Sequence, residues 1–478
     1  MKRAASTLLA AMLLAACSNV PRAASTPSVA SAATAASESS PMQSLFQSAQ
    51  ALDATDKGNW WRMFGDPQLD ALAQSLIANN PGLQVAVARL QQARAQAQVV
   101  SAGLFPQIAL QAGSARQKSS ADRPVASYTA SNQSTVQNNQ QLGFAVSYEA
   151  DLFGRVESNI AGADALAEQA RSELENTRLI LLAELAGDYF SLRALEAEMQ
   201  VLSEAINLQQ RAVRFMHDRH ALGLVSGLDL AQQETVLAAN RSQFELVQKQ
   251  SQQFLHAIAS LSGQAAAEFR LAPAGSAMLP PALPQALAAE ILQRRPDIAS
   301  AQRGVAYANA NIGVARAAAF PTLMLQANAG WNSNQWANLL SAPSLLWSLG
   351  AALTQTVFDG GKTQAGIAAA RAAHAAAVAT YRRSVLSALQ ELADAAAGGV
   401  ALARAAEYTQ SSVSSAARVL ALTDARYTGG IASYLDVITA QQSLLANQRQ
   451  LVQIRGQQML SAVLLVKASG GAWQVAAP

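Results

Sequence analysis

The sequence predicts a mainly α-helical chain with some β structure, in which long helical hairpins are joined to four strands. Three observations point there. The chain is written twice in the same order, each copy holds a very long proline-free stretch, and each holds two short segments whose side chains alternate.

The repeat is the primary signal, because self-similarity within a chain sets its architecture. "NNPGLQVAVARLQQARAQAQVVSAGLFPQIALQA", from Asn79, is matched by "QRRPDIASAQRGVAYANANIGVARAAAFPTLMLQA", from Gln293. Pro81 pairs with Pro296, Phe105-Pro106 with Phe320-Pro321, and Leu110-Gln111-Ala112 with Leu325-Gln326-Ala327. Later, Arg219, Gly223, Ser226, Leu228 and Asp229 pair with Arg426, Gly430, Ser433, Leu435 and Asp436; Ser262-Gly263 pairs with Ser469-Gly470. The copies span 59–270 and 285–470, joined by the Pro-rich linker 271–284 and followed by a tail, 471–478.

Each copy reads helix, strand, polar loop, strand, very long helix, turn, helix. The first helix runs from about Gln68 to Ala102. Proline biases the preceding residue away from the α region and is tolerated at a strand start, so Phe105-Pro106 and Phe320-Pro321 are helix-to-strand switches. In the first strand Ile108, Leu110 and Ala112 oppose Gln107, Ala109 and Gln111; in the second Leu142, Phe144, Val146 and Tyr148 oppose Gln141, Gly143, Ser147 and Glu149. Leu323, Leu325, Ala327 and Trp331, then Trp347, Leu349, Ala351 and Leu353, repeat the pattern. Segments of about ten residues with period two are the signature of membrane β-barrel strands, though a soluble amphipathic sheet packed on a helix alternates in the same way. If the strands face lipid, four cannot close a barrel, and open edges in hydrocarbon leave backbone groups unpaired. Several chains must then share one barrel.

From Val156 to Leu222 there is no proline, and Leu185, Leu192, Met199, Ile206 and Val213 recur every seven residues. Leu181, Leu195, Leu202 and Met216 form a companion line interrupted by Asp188 and Gln209. Such a repeat predicts left-handed coiled-coil packing over roughly 100 Å of helix. The second rod, about Lys362 to Tyr427, is Ala-rich. Gly223 and Gly429-Gly430 end the rods as helix C-terminal glycines, and equally long return helices are expected from about Leu228 and Tyr434.

The amino terminus supplies the cellular context. Lys2, Arg3 and the apolar run to Ala16 have the layout of a secretory signal covering 1–16, too short to span a bilayer as a helix. The only cysteine, Cys17, follows Leu14-Ala15-Ala16 and resembles the acylated residue of a bacterial lipobox; an ordinary signal with a chance cysteine is the alternative. Ser18 after it favours, by analogy, the outer membrane. Residues 17–58, rich in Ala, Ser, Thr and Pro, read as a flexible tether. This outer-membrane tether is what tips the alternating strands toward lipid.

Composition excludes several classes. Net charge is +3 with scattered basic residues, so there is no footprint for nucleic acid. No run after the signal approaches the ~20 apolar residues of a spanning helix. "GGKT" (360–363) lacks the first glycine of a phosphate loop and reads as a turn. His217 and His220 are three apart without further ligands, so no metal or cofactor is expected. Glu149 and Asp151, two apart on a strand, share one face but lack a catalytic partner, and no enzyme constellation emerges.

"NWWRMFGDPQLDALAQSLIANNP" (59–81), "YEADLFGR" (148–155) and "RYTGGIASYLDV" (426–437), with the repeat and lipobox, resemble the outer-membrane factor family, in its lipidated NodT and OprM type, with TolC a non-acylated relative. The resemblance covers about Asn59 to Gly470. It implies a homotrimer with twelve strands in one transmembrane barrel, a periplasmic α-barrel tunnel, and docking to a periplasmic adaptor. The inner-membrane pump would be of the RND, ABC or MFS type. The function implied is that of an exit duct; a lipid-anchored coiled-coil scaffold without a pore is the alternative. In that family the tunnel narrows at the hairpin turns. Asp436 matches a motif aspartate there, Asp229 is its counterpart in the first copy, and Tyr427 matches a gate tyrosine. Ala432 and Thr439 stand where TolC carries an arginine and an aspartate, which weakens the case for a salt-bridge lock. Apart from the resemblance, Asp229 and Asp436 read as helix caps, each lying in a first turn.

Overall fold

The computed structural model describes residues 58–121, 134–273, 281 and 294–471. Cys17, its tether, most of the linker and the residues after 471 lie outside that set. The chain divides into two compact units. One comprises 91–168 and 302–379 and holds the sheet; the other comprises the described parts of 27–90, 169–301 and 380–478 and is helical.

Helix α1 (Pro67–Asn79) is capped by Asp66, whose carboxylate accepts the Gln68 and Leu69 amides. The single first helix expected from about Gln68 to Ala102 is in fact two. Asn80 takes an extended conformation because Pro81 follows, and helix α2 (Pro81–Ser101) starts afresh. The Asn80 side chain makes the break useful, accepting the Leu83 amide at 3.0 Å as a cap. Strands β1 (Gln107–Ser119) and β2 (Thr135–Ala150) follow. The long rod is helix α3 (Arg155–Ala221), and its return is helix α4 (Gly227–Leu261). The second copy repeats this order with α5 (Pro296–Ala317), β3 (Thr322–Ser333), β4 (Leu345–Thr354), α6 (Lys362–Thr428) and α7 (Tyr434–Ala468).

The return helices are not equally long: each rod has 67 residues and each return 35. A left-handed glycine stops each return, Gly263 (φ +73°) and Gly470 (φ +78°). The stop is also a joint. A Cβ on Gly263 would lie 2.6 Å from the Asn79 carbonyl oxygen, and one on Gly470 would lie 3.0 Å from the Arg294 carbonyl. Each glycine thus abuts the residue two before the proline that opens α2 or α5. Across the same joints, Asn80 Nδ2 donates to the Leu261 carbonyl at 2.8 Å and Arg295 Nη1 to the Ala468 carbonyl at 3.2 Å. These bonds satisfy carbonyls that a helix end leaves orphaned.

Helix α6 is, by length and mean composition, the one described helix that could cross a membrane; its apolarity is largely alanine, and Arg371, Arg382 and Asp394 interrupt it, so it too holds no unbroken apolar run of ~20 residues. In the helical unit, the core gathers Trp61, Leu69, Leu76, Leu185, Tyr189 and Met459. Of the heptad line on α3, the first two members, Leu185 and Leu192, are buried, while Met199, Ile206 and Val213 are half-buried. Gln209, which interrupts the companion line, is buried but accepts a 2.9 Å hydrogen bond from Asn240 across the hairpin. Asp188 is different: burial, with Glu184 one turn away, pushes its carboxyl up to about 6.

Candidate functional site: the apolar sheet and the hairpin turns

The four strands form one antiparallel sheet in the order β1-β2-β3-β4, with β1 and β4 unpaired at its two edges. Register converts the alternation into a surface. Leu110 stands opposite Phe144, Phe144 opposite Ala329, and Ala329 opposite Trp347. The next row is Ala112, Leu142, Trp331 and Leu345, and the row at the opposite end includes Ala150, Leu323 and Leu353. One face is therefore continuously apolar across all four strands. It is also bare: Leu349 is 76% exposed, Trp347 72% and Ile108 69%. A sheet packed on a helix would hide these side chains; on this face they stand open.

Its height fits a bilayer. The apolar rows span eight residue steps, about 27 Å along a strand at ~3.4 Å per residue. Tilted at about 40°, they cover roughly 20 Å along the membrane normal, comparable to the ~25 Å apolar band of outer-membrane barrels. The other face carries Gln107, Gln111, Gln141, Gln326 and Asn328. There Gly143 and Gly330 stand opposite each other, and a Cβ on Gly330 would fall 2.4 Å from the Gly143 Cα. This close approach requires glycine.

All four helix–strand junctions lie at one end of the sheet. Phe105 closes its helical segment through a bond from its amide to the Ala102 carbonyl, as Phe320 does to Ala317, and each proline then precedes a strand. Phe320 stacks on Phe153 at 4.8 Å, an aromatic contact that the reading of these residues as backbone switches did not anticipate. Asp151 is not on the strand with Glu149. β2 ends at Ala150, and Asp151 caps α3 by accepting the Arg155 and Glu157 amides. Glu149 forms a bidentate pair with Arg155. In the second copy Asp359 serves as the cap, and the Thr363 hydroxyl and amide hold its carboxyl below the usual range. The glycines of "GGKT" make the turn with φ +63° and +90°.

At the other ends of the rods, Gly223 (φ +72°) and Gly430 (φ +73°) take the left-handed conformation; Gly429 does not. Asp229 donates its amide to Ser226 Oγ and receives that hydroxyl on its carboxylate. Asp436 completes a capping box with Ser433, whose amide and hydroxyl hold the exposed Asp436 carboxyl below its ordinary value, with Arg426 adding to the effect. The two hairpin turns pack together through Met216, Val236, Tyr434, Val437 and Ile438. Tyr427 lies partly buried against this cluster, its ring 5.3 Å from that of Tyr434. Tyr434, which sequence reasoning passed over, donates its hydroxyl to buried Gln233 at 3.1 Å, and burial pushes its phenol up to about 12. His220 lies within 3.0 Å of the Val225 carbonyl through Nδ1 and serves the turn. Among the described residues no group of three His, Cys, Asp or Glu is placed to hold a metal.

A bare, continuously apolar four-stranded sheet in a largely helical chain has the pattern of an outer-membrane protein rather than of a closed soluble domain. The chain belongs to the outer membrane efflux protein family, whose model matches residues 72–264 and 287–471. It is 31% identical over 470 residues to the pyoverdine export outer membrane protein OpmQ of Pseudomonas aeruginosa, covering 98% of this chain and 97% of that one. It is also 31% identical over 438 residues to the toluene efflux pump outer membrane protein TtgC of Pseudomonas putida, covering 91% and 88%. Among solved structures, the outer-membrane channel OprN superposes with a TM-score of 0.82 at 28% identity, covering 87% of this chain and 92% of that one.

Proposed function

We propose that the chain is the outer-membrane exit duct of a tripartite efflux system, passively conducting compounds expelled by an inner-membrane pump and relayed by a periplasmic adaptor. The observation that carries this reading is the apolar sheet with two open edges. Unpaired backbone in hydrocarbon costs several kcal/mol per group, so the edges of one chain must be met by those of others. Three copies would give twelve strands and enclose a lumen lined by the glutamine-rich face. The helices then project into the periplasm, and Cys17 anchors the amino terminus through lipid. Several acyl chains, at roughly 0.8 kcal/mol per buried CH₂, make that attachment effectively permanent.

The hairpin turns are the closed end of the duct. Symmetry-related copies of Asp436 would form a ring of carboxylates there, drawing cations toward the axis. Because Asp436 is also a cap, its negative charge and the turn's conformation are coupled. Cargo selection rests elsewhere, in keeping with relatives of equal identity that are named for pyoverdine and for toluene.

The test is direct. Purified protein is run unheated on SDS gels and reconstituted in planar bilayers. An SDS-resistant trimer with discrete conductance steps is expected; a water-soluble monomer without conductance would establish the scaffold alternative.

A further inference from the structure

On the apolar face, β1 continues past its last apolar row. Ser114, Arg116 and Lys118 point to the same side as Ile108, Leu110 and Ala112, because strand side chains alternate. Arg116 lies four residues beyond Ala112 and Lys118 six, so along a strand tilted by ~40° they stand about 10 and 15 Å above the apolar edge. Both are exposed. They lie at the sheet end away from the helix junctions, where Trp331 and Trp347 occupy the last two apolar rows and Trp336 is exposed in the adjoining connection. Tryptophan at the edge of an apolar band marks the membrane–water interface.

Among the described residues of the sheet and the 334–344 connection, charge at that end is one-signed. Strands β1, β3 and β4, the 334–344 connection, and β2 as far as Tyr148 contain no aspartate or glutamate. The cations therefore face no described carboxylate of their own sheet.

We infer that Arg116 and Lys118 form, on the outer rim of the barrel, a binding site for the phosphates of an anionic glycolipid in the outer leaflet. The inference rests on the barrel reading above. Arginine can engage a phosphate through two parallel N–H bonds, and lysine adds a mobile point charge. Both side chains are long enough to reach back several ångströms toward headgroups at the apolar edge. The occupant is a lipid rather than a free ion, because the cations sit directly above an acyl-facing surface that would hold its chains.

The experiment uses full-length oligomer in detergent, titrated with diphosphoryl lipid A and read by native mass spectrometry. Each basic residue near an anionic surface contributes roughly 1 kcal/mol, about fivefold in affinity, so R116Q/K118Q should bind roughly 30-fold more weakly. Monophosphoryl lipid A should bind wild type less well, and millimolar inorganic phosphate should not displace the lipid. Equal lipid binding by wild type and R116Q/K118Q, with both still trimeric and conducting, would overturn this site and leave the barrel intact. Full displacement by inorganic phosphate would overturn the choice of a lipid. If wild type proves to be a soluble monomer, the barrel and the site fail together. R116K/K118R, which keeps the charge, should retain binding within a fewfold; loss there equal to that of R116Q/K118Q would also count against the site.

Discussion

Asp188 sits half-buried on α3 with no ion-pair partner among the described residues; burial, with Glu184 one turn before it, raises its carboxyl from 3.8 to about 6. The folded state therefore binds this proton more tightly than the unfolded chain does. The sign follows: the carboxylate costs nothing below about pH 4, becomes increasingly unfavourable as pH rises through 6, and exerts its full penalty above that. A rise of that size corresponds to roughly 3 kcal/mol at neutral pH, and partial solvent access reduces it to about 1–2 kcal/mol. Asp188→Asn keeps the shape and removes the charge. Thermal loss of helix, followed by circular dichroism in detergent at pH 4, 6 and 7.5, should show the variant more stable than wild type at pH 7.5 and equal to it at pH 4. Wild type alone should gain stability on acidification through this window. Identical midpoints at pH 7.5, with parallel pH dependence, would refute the reasoning.

Asp436→Ala removes both the carboxylate and the cap, and should raise single-channel conductance and weaken cation selectivity; unchanged values in planar bilayers would confine the residue to capping. Gly330→Ala drives a methyl into Gly143 and should destabilise the sheet by about 1–3 kcal/mol, read as dissociation of the SDS-resistant oligomer at lower temperature. Asn80→Ala deletes the bond to Leu261 and the cap on α2, costing about 1–2 kcal/mol in thermal unfolding. Cys17→Ala should abolish incorporation of labelled palmitate while leaving oligomer assembly intact; continued labelling would refute the assignment of the anchor.

The strands were the most legible part of the sequence. Period two is unforgiving, since a slip of one residue turns every side chain to the other face, so Leu110, Phe144 and Trp347 could be assigned to one surface before any pairing was known. Helix ends were harder. The break at Asn80-Pro81 lies in a glutamine- and alanine-rich stretch that continues on both sides, and Ser262-Gly263 was visible as a repeated pair without revealing that it stops a helix against a distant backbone. Asp151 was misplaced because one residue decides whether a carboxylate ends a strand or starts a helix. At the hairpin turns the capping of Asp229 and Asp436 was readable from their position, whereas Tyr434 and Gln233 met only through packing between the two copies. The gate role proposed for Asp436 would depend on neighbouring chains, and a single sequence carries that only by resemblance.

The unpaired margins of β1 and β4 constrain how the protein is made as well as how it works. A single chain carries two ribbons of unmatched amides and carbonyls beside an apolar surface. Neither water nor lipid accommodates both at once. If sister chains complete a shared barrel, as proposed above, entry into the bilayer and their encounter would be one coupled event, and the solitary chain before it the vulnerable species, prone to aggregation.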